Sequence, residues 1–313
     1  MTVLYIAAAA ALLILAASYG CFRMAFYAPP RKPRDPDFID LPPGEIYEPY
    51  YPQMTRWTRE MRAFPHEDVS ITSFDGLTLT GKFYEYAPGA PMELMFHGYR
   101  GNAERDLSGG VHRAFRLKRS VLLVDQRCSG DSQGSAITFG IREHRDCLAW
   151  LDFAMKKYPD RKIILTGISM GASTVMMAAG EDLPENVIGI LADCGFTSAR
   201  DIMMEVMGQM HLPPRLCWPF VKLGAKLFAH FDPEENSAIE AMKRAKVPVI
   251  FFHGEDDDFV PCRMSQENYE ACASRKMLVT IPGAGHGLSF PKDQEGYLKA
   301  LADFFGPEAS GRD

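Results

Sequence analysis

One serine stands in a setting that favours nucleophilic chemistry. Ser169 is the centre of Gly167-Ile168-Ser169-Met170-Gly171, which follows a short apolar run and precedes a run rich in Ala and Met. Glycines on both sides of the serine allow a sharp strand-to-helix turn that leaves the hydroxyl projecting. A serine that only caps a helix beside a glycine turn would show the same pattern, so the chemistry depends on its partners.

A serine hydroxyl is a weak nucleophile and needs a base that is held by a third group. His286 is the favoured base because it lies late in the chain, in the glycine-rich loop 283–287. The alternative for this residue is a solvent-exposed loop histidine. The acid is expected after the preceding apolar run, where residues 255–258 offer four carboxylates. One of them would orient the imidazole, and the others would be turn-forming or solvated charges.

The negative oxygen that develops during acyl transfer needs backbone N–H donors. One is expected from Met170, because this residue begins a helix and lies at the positive end of its dipole. The other is expected from the loop His97-Gly98-Tyr99, which follows another apolar run. We therefore predict an oxyanion hole made by the N–H groups of Tyr99 and Met170, with His97 in a structural role.

These motifs together resemble the α/β-hydrolase superfamily, and more narrowly the membrane-anchored bacterial serine hydrolases grouped with its prolyl-oligopeptidase-like members. The resemblance spans about residues 66–305 and rests on His97–Asn102, Asp125–Ser132, Gly167–Gly171, Asp193–Ser198, His253–Pro261 and Gly283–His286. In that family the acid lies four residues after the histidine of an H-G-x-x-D-x-x-V-P pattern. The resemblance therefore implies Asp257, with Asp256 and Asp258 as alternatives. Cys128-Ser129 departs from the Ala-His or Gly-His of many relatives, in a loop that is usually structural.

Short apolar runs alternate with helical patterns from residue 66 onward. Strands are predicted at 68–73, 77–86, 91–96, 120–125, 162–166, 187–192, 247–252 and 276–281, with helices at about 109–118, 140–157, 170–180, 264–274 and 291–305. This alternation predicts an α/β protein with a mostly parallel central sheet covered by helices on both faces, and the first two strands form a hairpin. Together with the resemblance, it assigns residues 66–308 to an α/β-hydrolase domain.

The segment at about residues 196–246 is expected to be a small helical cap, because this is where the superfamily inserts one. Its apolar residues recur at helical spacing, and two short helices are expected on either side of Pro213-Pro214. Methionine is flexible and polarisable, so a Met-rich cap suits an adaptable apolar pocket. Met203 and Met207, with Tyr99 and Phe259, are predicted to contact the substrate. The alternative for the methionines is ordinary core packing.

Residues 2–22 carry no charge, and a helix of ~20 apolar residues crosses the ~30 Å hydrocarbon layer. We predict a single-pass signal anchor over residues 1–22 that places the protein in the cell membrane. Basic residues follow this segment, at Arg23, Arg31, Lys32 and Arg34, which favours a cytoplasmic catalytic domain. The alternatives are a cleaved export or lipoprotein signal and a buried core helix.

Residues 23–65 are expected to form a proline-rich linker or strap, because clustered prolines interrupt both helices and sheets. Within it, Met54, Trp57 and Met61 recur at helical spacing, which predicts a short amphipathic helix with one apolar face. An apolar face needs a surface to cover. This segment is therefore more typical of a strap lying on the domain than of a free tether.

The composition excludes several classes of function. The chain has 313 residues, a formal net charge of −6 and no long run of Lys or Arg, so no nucleic-acid partner is expected. Its seven cysteines form no CxxC pair, and their sparse, odd number predicts free thiols in a reducing compartment instead of a disulfide scaffold or a zinc site. The motifs require neither a metal nor a cofactor.

The sequence predicts a serine hydrolase that cleaves carboxylic esters with an apolar acyl or aromatic group, acting on a small-molecule or lipid-like substrate. Peptidase, amidase and thioesterase activities are the alternatives within the superfamily. Peptidases of this superfamily usually carry a large propeller, and only about 65 residues precede the predicted domain, so an ester is favoured. A catalytically inactive, membrane-tethered binding protein is the alternative from another class.

Overall fold

A mixed, mostly parallel sheet forms the centre of the computed structural model, which describes residues 1–29, 35 and 37–306. Its strands within these ranges are β1 (Glu67–Thr72), β2 (Thr78–Tyr84), β3 (Met92–Phe96), β4 (Ser120–Val124), β5 (Ile163–Ile168), β6 (Val187–Asp193), β7 (Val249–Gly254) and β8 (Lys276–Ile281). They lie in the order β1-β2-β4-β3-β5-β6-β7-β8. β2 is antiparallel to β1 and β4, and the remaining pairs are parallel.

Helices cover both faces of this sheet. The helices of the described residues are α1 (Thr2–Ala25), α2 (Tyr51–Ala63), α3 (Ala103–Arg116), α4 (Glu143–Lys157), α5 (Met170–Ala178), α6 (Ala199–Gln209), α7 (Pro214–Gly224), α8 (Ala238–Met242), α9 (Arg263–Ala271), α10 (Ser289–Lys292) and α11 (Gln294–Phe305). Neighbouring residues of one strand point to opposite faces. Ile164 accordingly packs with α2 and α11, whereas Leu165 packs with α4 and α5. The predicted α/β-hydrolase fold class is confirmed.

The helix predicted at about 109–118 begins earlier, at Ala103. Asn102 is its N-cap, and its side chain accepts a hydrogen bond from the Arg105 backbone N–H. Gly109 and Gly110 lie inside the helix. Because glycine has a low helix propensity, the sequence pattern did not predict the residues before them as helical. Gly109 has a packing reason, because a Cβ at this position would lie 2.8 Å from the ring of Trp57. The absence of a side chain lets α2 approach α3 closely.

The two helices expected around Pro213-Pro214 are present as α6 and α7, followed by one turn of π-helix at Ala225–Ala229 and by α8. Helix α7 packs against α1. The two helices are closest at Gly224, where a Cβ would lie only 2.3 Å from the Ser18 carbonyl oxygen. Most of α1 is exposed, but Ser18 and Phe22 are buried in this contact. Only the C-terminal part of α1 therefore belongs to the folded domain.

Residues 37–50, called the strap below, lie on the domain and end in a 3₁₀ turn, Glu45–Tyr50. Asn102 donates a hydrogen bond to Asp40 over 3.1 Å, and the Tyr51 hydroxyl donates one to the Pro42 carbonyl over 2.9 Å. The following helix, α2, buries Met54, Trp57 and Met61 as its spacing predicted. Arg31, Lys32, Arg34 and residues 307–308 at the predicted domain end lie outside the described residues.

Candidate active site

Ser169 occupies the sharp turn between β5 and α5. Its backbone has φ 55° and ψ −119°, a strained conformation for a residue with a side chain. Two glycines make room for the turn. A Cβ at Gly167 would lie 2.1 Å from the Gly171 carbonyl oxygen, and one at Gly171 would lie 2.0 Å from the Phe96 carbonyl oxygen. The strand and the helix can therefore pack closely only with glycine at both positions.

His286 lies between Ser169 and Asp257. Its Nε2 is 2.9 Å from the Ser169 Oγ, and its Nδ1 is 2.7 Å from an Asp257 carboxylate oxygen. In this arrangement the Nδ1–H donates to the carboxylate, and Nε2 accepts the serine hydroxyl proton. The Asp257 side chain is fully buried and that of His286 is 14% exposed, so solvent reaches the imidazole but not the carboxylate.

Asp257 is held in place by backbone donors. One carboxylate oxygen accepts the N–H groups of Phe259 and Val260 over 3.0 and 2.8 Å. The other oxygen faces His286 and also lies 3.2 Å from the Nε2 of buried His253. Burial raises the pKa of Asp257, but the hydrogen bonds from His253 and His286 outweigh it and hold the pKa well below its usual range. The neighbouring carboxylates, Asp256 and Asp258, are exposed.

The loop that carries His286 is fixed by a buried polar contact at the end of β6. Asp193 accepts hydrogen bonds from the Ser289 hydroxyl over 2.8 Å and the Tyr297 hydroxyl over 3.0 Å. The Tyr297 ring stacks on Phe252 of β7 at 3.6 Å between centroids. Burial raises the pKa of Asp193, although both hydroxyls stabilise its charged form. These contacts tie α10 and α11 to the sheet and so set the position of the histidine loop.

The loop after β3 lies directly beside Ser169. A Cβ at Gly98 would be 3.4 Å from the Ser169 Cβ. The Gln126 backbone N–H donates to His97 Nε2 over 3.0 Å, so the proton of this ring is on Nδ1, which lies 2.8 Å from the Gly98 carbonyl oxygen. Because the C=O and N–H of a trans peptide point in opposite directions, His97 turns the Tyr99 N–H away from itself. His97 was predicted to have a structural role, and its contacts show it orienting the peptide between Gly98 and Tyr99.

Cys194 lies next to Asp257 and His286, and its position was not predicted from the sequence. It is fully buried, it directly follows β6, and it adopts a left-handed backbone conformation with φ 47°. Its Sγ, an Asp257 oxygen and a His286 ring nitrogen lie within 4.8 Å of one another. Burial raises the pKa of this thiol well above its usual value, whereas metal ligation requires a thiolate. The donor set fits a neutral thiol packed beside the hydrogen-bonded Asp257 and His286 side chains.

A cavity of about 710 Å³ opens beside Ser169 and His286. Its walls come mainly from the strap, α2, α3 and the segment 290–291. The apolar side chains that line it include Ile46, Met54, Trp57, Leu107, Leu191, Phe259 and Phe290, and the charged side chains of Arg105, Asp106 and Arg113 also line it. Of the residues predicted to contact the substrate, Tyr99 and Phe259 line it. Met203 and Met207 are buried in the main core and do not line this cavity. The sequence did not predict that the strap and α2 line the cavity. The spacing of Met54, Trp57 and Met61 indicated only that α2 has an apolar face.

Comparisons with known proteins agree with this architecture. A model of the prolyl oligopeptidase family matches residues 138–311, more than half of the chain. The uncharacterised protein YqkD of Bacillus subtilis is 27% identical over 227 residues, 71% of this chain and 74% of that protein. Protein bem46 of Schizosaccharomyces pombe is 25% identical over 272 residues, 83% of this chain and 84% of that protein. The solved Pyrococcus furiosus esterase Pf2001 has the same fold, with a TM-score of 0.66 at 21% identity over 89% of this chain and 97% of that chain.

Proposed function

The chain belongs to the prolyl oligopeptidase family and is a serine hydrolase, and we propose that it cleaves carboxylic esters with an apolar acyl or aromatic group. The observation that carries this proposal is the hydrogen-bond chain from Ser169 through His286 to Asp257, which lies at a cavity whose walls are mostly apolar. Ser169 is the nucleophile, His286 the general base and acid, and Asp257 the group that orients the imidazole.

In the first half-reaction, Ser169 Oγ attacks the ester carbonyl carbon while His286 Nε2 takes the hydroxyl proton. The carbonyl oxygen becomes an oxyanion, which accepts hydrogen bonds from the Tyr99 and Met170 N–H groups. Met170 is the first residue of α5, where a backbone N–H has no acceptor inside the helix. The protonated His286 then gives its proton to the leaving alkoxide. An alcohol departs and the acyl group remains on Ser169.

In the second half-reaction, a water molecule replaces the alcohol. His286 takes one proton from the water as its oxygen attacks the acyl carbon, and the same N–H groups stabilise the second oxyanion. Collapse of this intermediate breaks the bond to Ser169 Oγ, which recovers its proton from His286. The carboxylic acid leaves and the enzyme returns to its starting state.

The shape of the cavity supports an apolar acyl group. Its volume of about 710 Å³ lies within the ~300–1,000 Å³ of typical small-molecule sites. Trp57 and Phe290, whose rings stack at 5.4 Å, form part of the wall. Phe259 lies at 5.1 Å from the His286 ring and is 38% exposed, so it flanks the entrance next to the reacting atoms. These side chains favour contact with hydrocarbon over contact with a charged group.

The apolar N-terminal helix supports a lipid-like substrate. Helix α1 is long and apolar enough to cross a membrane, and its apolar window is only 6% buried. The cap beside it exposes Leu216, which is 70% accessible, and Leu227. We propose that α1 anchors the protein in the cell membrane with its catalytic domain on the cytoplasmic side, since the basic residues follow the apolar run. Protease accessibility in membrane vesicles of known orientation tests the side.

The test uses the full-length protein in detergent and a fluorophosphonate probe, with adducts read by intact mass. We expect one adduct on the wild type, none on Ser169→Ala, and an unchanged adduct on Ser70→Ala, whose side chain is exposed on β1. A folded wild type that forms no adduct would contradict the proposal and favour the inactive binding protein.

A second measurement addresses the substrate class. Para-nitrophenyl esters from acetyl to dodecanoyl are compared with the matching anilides, both in micelles and in phosphatidylcholine vesicles. We expect kcat/KM to rise with chain length and the esters to exceed the anilides. Faster cleavage of the anilides would indicate an amidase or peptidase, and a preference for acetyl that vesicles leave unchanged would refute the lipid-like substrate.

A further inference from the structure

The C-terminal end of α1 is built into the catalytic domain. We call residues Met24–Ala28 the docked end. Phe26 within it is fully buried and packs edge-to-face on Phe139 and on Phe231 of the cap, at 5.9 and 5.2 Å between ring centroids. Tyr27 forms a β-bridge with Ala136. This segment is therefore fixed on two sides, by the loop after β4 and by the cap.

Two side chains of the loop after β3, Tyr99 and Arg100, cap this end of α1. The Tyr99 hydroxyl donates a hydrogen bond to the Ala25 carbonyl over 2.7 Å. The Arg100 guanidinium donates to the Met24 carbonyl over 2.8 Å and to the Tyr27 carbonyl over 3.3 Å. The last carbonyls of a helix lack partners inside the helix and attract donors and positive charge. Tyr99 and Arg100 supply both.

The same residue that caps α1 also carries the proposed oxyanion donor. The Tyr99 N–H belongs to the peptide that His97 orients through the Gly98 carbonyl. On its other side, the Tyr99 ring packs on Phe139 at 4.8 Å, and Phe139 packs on Phe26 of the docked end. Arg100 is held with φ 53°, a left-handed conformation that needs support from its surroundings. The loop is thus held by His97 at one end and by α1 at the other.

We propose that the docked end of α1 is a positioning element of the oxyanion hole, which acts through the Tyr99 and Arg100 side chains on the Tyr99 N–H. The inference rests on the proposed function, because it takes this N–H as an oxyanion donor. A displacement of about 1 Å in a catalytic group costs up to ~10² in rate. Docking of the membrane helix therefore sets the turnover number of an active site that the helix does not itself line.

The test uses the full-length enzyme in phosphatidylcholine nanodiscs. Tyr99→Phe keeps the ring and the backbone N–H and removes only the hydrogen bond to α1. We expect kcat to fall about ten-fold with KM within about two-fold, because one hydrogen bond is worth up to this factor and the loss falls on the transition state. Binding of n-butylboronic acid, whose adduct with Ser169 places an oxygen in the oxyanion hole, should weaken by the same factor. Tyr158→Phe, which loses a hydroxyl contact to Glu67 at the far edge of the sheet, should match the wild type.

A second pair of variants tests the packing of α1 at a position away from Tyr99. Gly224→Ala places a Cβ against the Ser18 carbonyl oxygen, whereas Gly208→Ala on α6 meets nothing within 4 Å. We expect Gly224→Ala to reproduce the loss in kcat and in boronate affinity, and Gly208→Ala to change neither. The inference is overturned if Tyr99→Phe retains wild-type kcat and boronate affinity, or if it changes KM alone. Failure of the proposed function looks different, since the wild type itself would then form no fluorophosphonate adduct at Ser169.

Discussion

Replacing Asp257 with asparagine should remove the function of the triad while leaving its shape intact. The orientation of the new side chain is set by the structure. One carboxylate oxygen accepts two backbone N–H groups, from Phe259 and Val260, so the amide oxygen must stay there. The amide NH₂ then faces His286 Nδ1. Two donors cannot pair, so His286 moves its proton to Nε2, which can no longer accept the proton of Ser169.

The expected loss follows from this change of tautomer. An asparagine at the acid position of a serine triad lowers kcat by about 10⁴, which is about 5.5 kcal/mol of transition-state stabilisation. The folded-state pKa of Asp257 lies below its ordinary value, so the carboxylate stabilises the fold above about pH 4 and loses this effect as the pH falls. At neutral pH the variant should therefore also unfold at a lower temperature than the wild type.

Steady-state hydrolysis of para-nitrophenyl butyrate by the full-length protein in detergent measures this loss, and thermal unfolding shows that the variant is folded. Asp256→Asn is the matched control, because it makes the same change on an exposed neighbour. Its kcat should stay within about three-fold of the wild type, as for most surface substitutions. An Asp257→Asn enzyme within ten-fold of wild-type kcat, or a large loss in Asp256→Asn, would refute the assignment of the acid.

Three further predictions concern the walls and the interior. Glu93→Gln should lower the free energy of unfolding by about 3–5 kcal/mol, because it removes the negative charge that two buried arginines contact. These arginines outweigh burial and lower the pKa of Glu93, so the difference from the wild type should shrink in acid. Trp57→Ala should raise the ratio of kcat/KM for dodecanoyl esters to kcat/KM for butanoyl esters. Met207→Ala should lower the melting temperature and leave this ratio unchanged. A ratio that changes in Met207→Ala but not in Trp57→Ala would place the acyl group under the cap. Gly171→Ala should prevent labelling of Ser169 by fluorophosphonate, since its Cβ would meet the Phe96 carbonyl oxygen at 2.0 Å.

The parts of the molecule that were predictable are those encoded by neighbouring residues. The strands of the sheet are short apolar runs, and Ser169 and His286 lie in glycine-rich motifs directly after two of them. A parallel sheet brings the carboxyl ends of its strands to one edge, so these two residues could be expected to meet. Asp257 needed the family pattern as well, because composition does not separate it from the carboxylates on either side.

The walls of the cavity could not be predicted in this way. The strap has no hydrophobic period, and its position depends on single contacts such as Asn102 with Asp40 and Tyr51 with Pro42. Methionines of the cap suggested substrate contact by their flexibility, yet Met203 and Met207 lie in the core. Periodicity shows which face of a helix is buried but does not show whether protein or ligand covers it.

The way the cavity closes has a consequence for biosynthesis. Its walls join distant parts of the chain: Trp57 stacks on Phe290, and a Cβ at Gly285 would lie 3.2 Å from Ile46. Helix α1 and the strap leave the ribosome before the sheet is made, whereas β8 and α10 emerge near the end of the described chain. Contacts between such distant segments form late in folding. A nascent chain that already contains Ser169 but not residues 285–291 therefore lacks part of the wall of this cavity. The contact between Ser169 and His286 forms only after the histidine loop has been synthesised and packed beneath the strap.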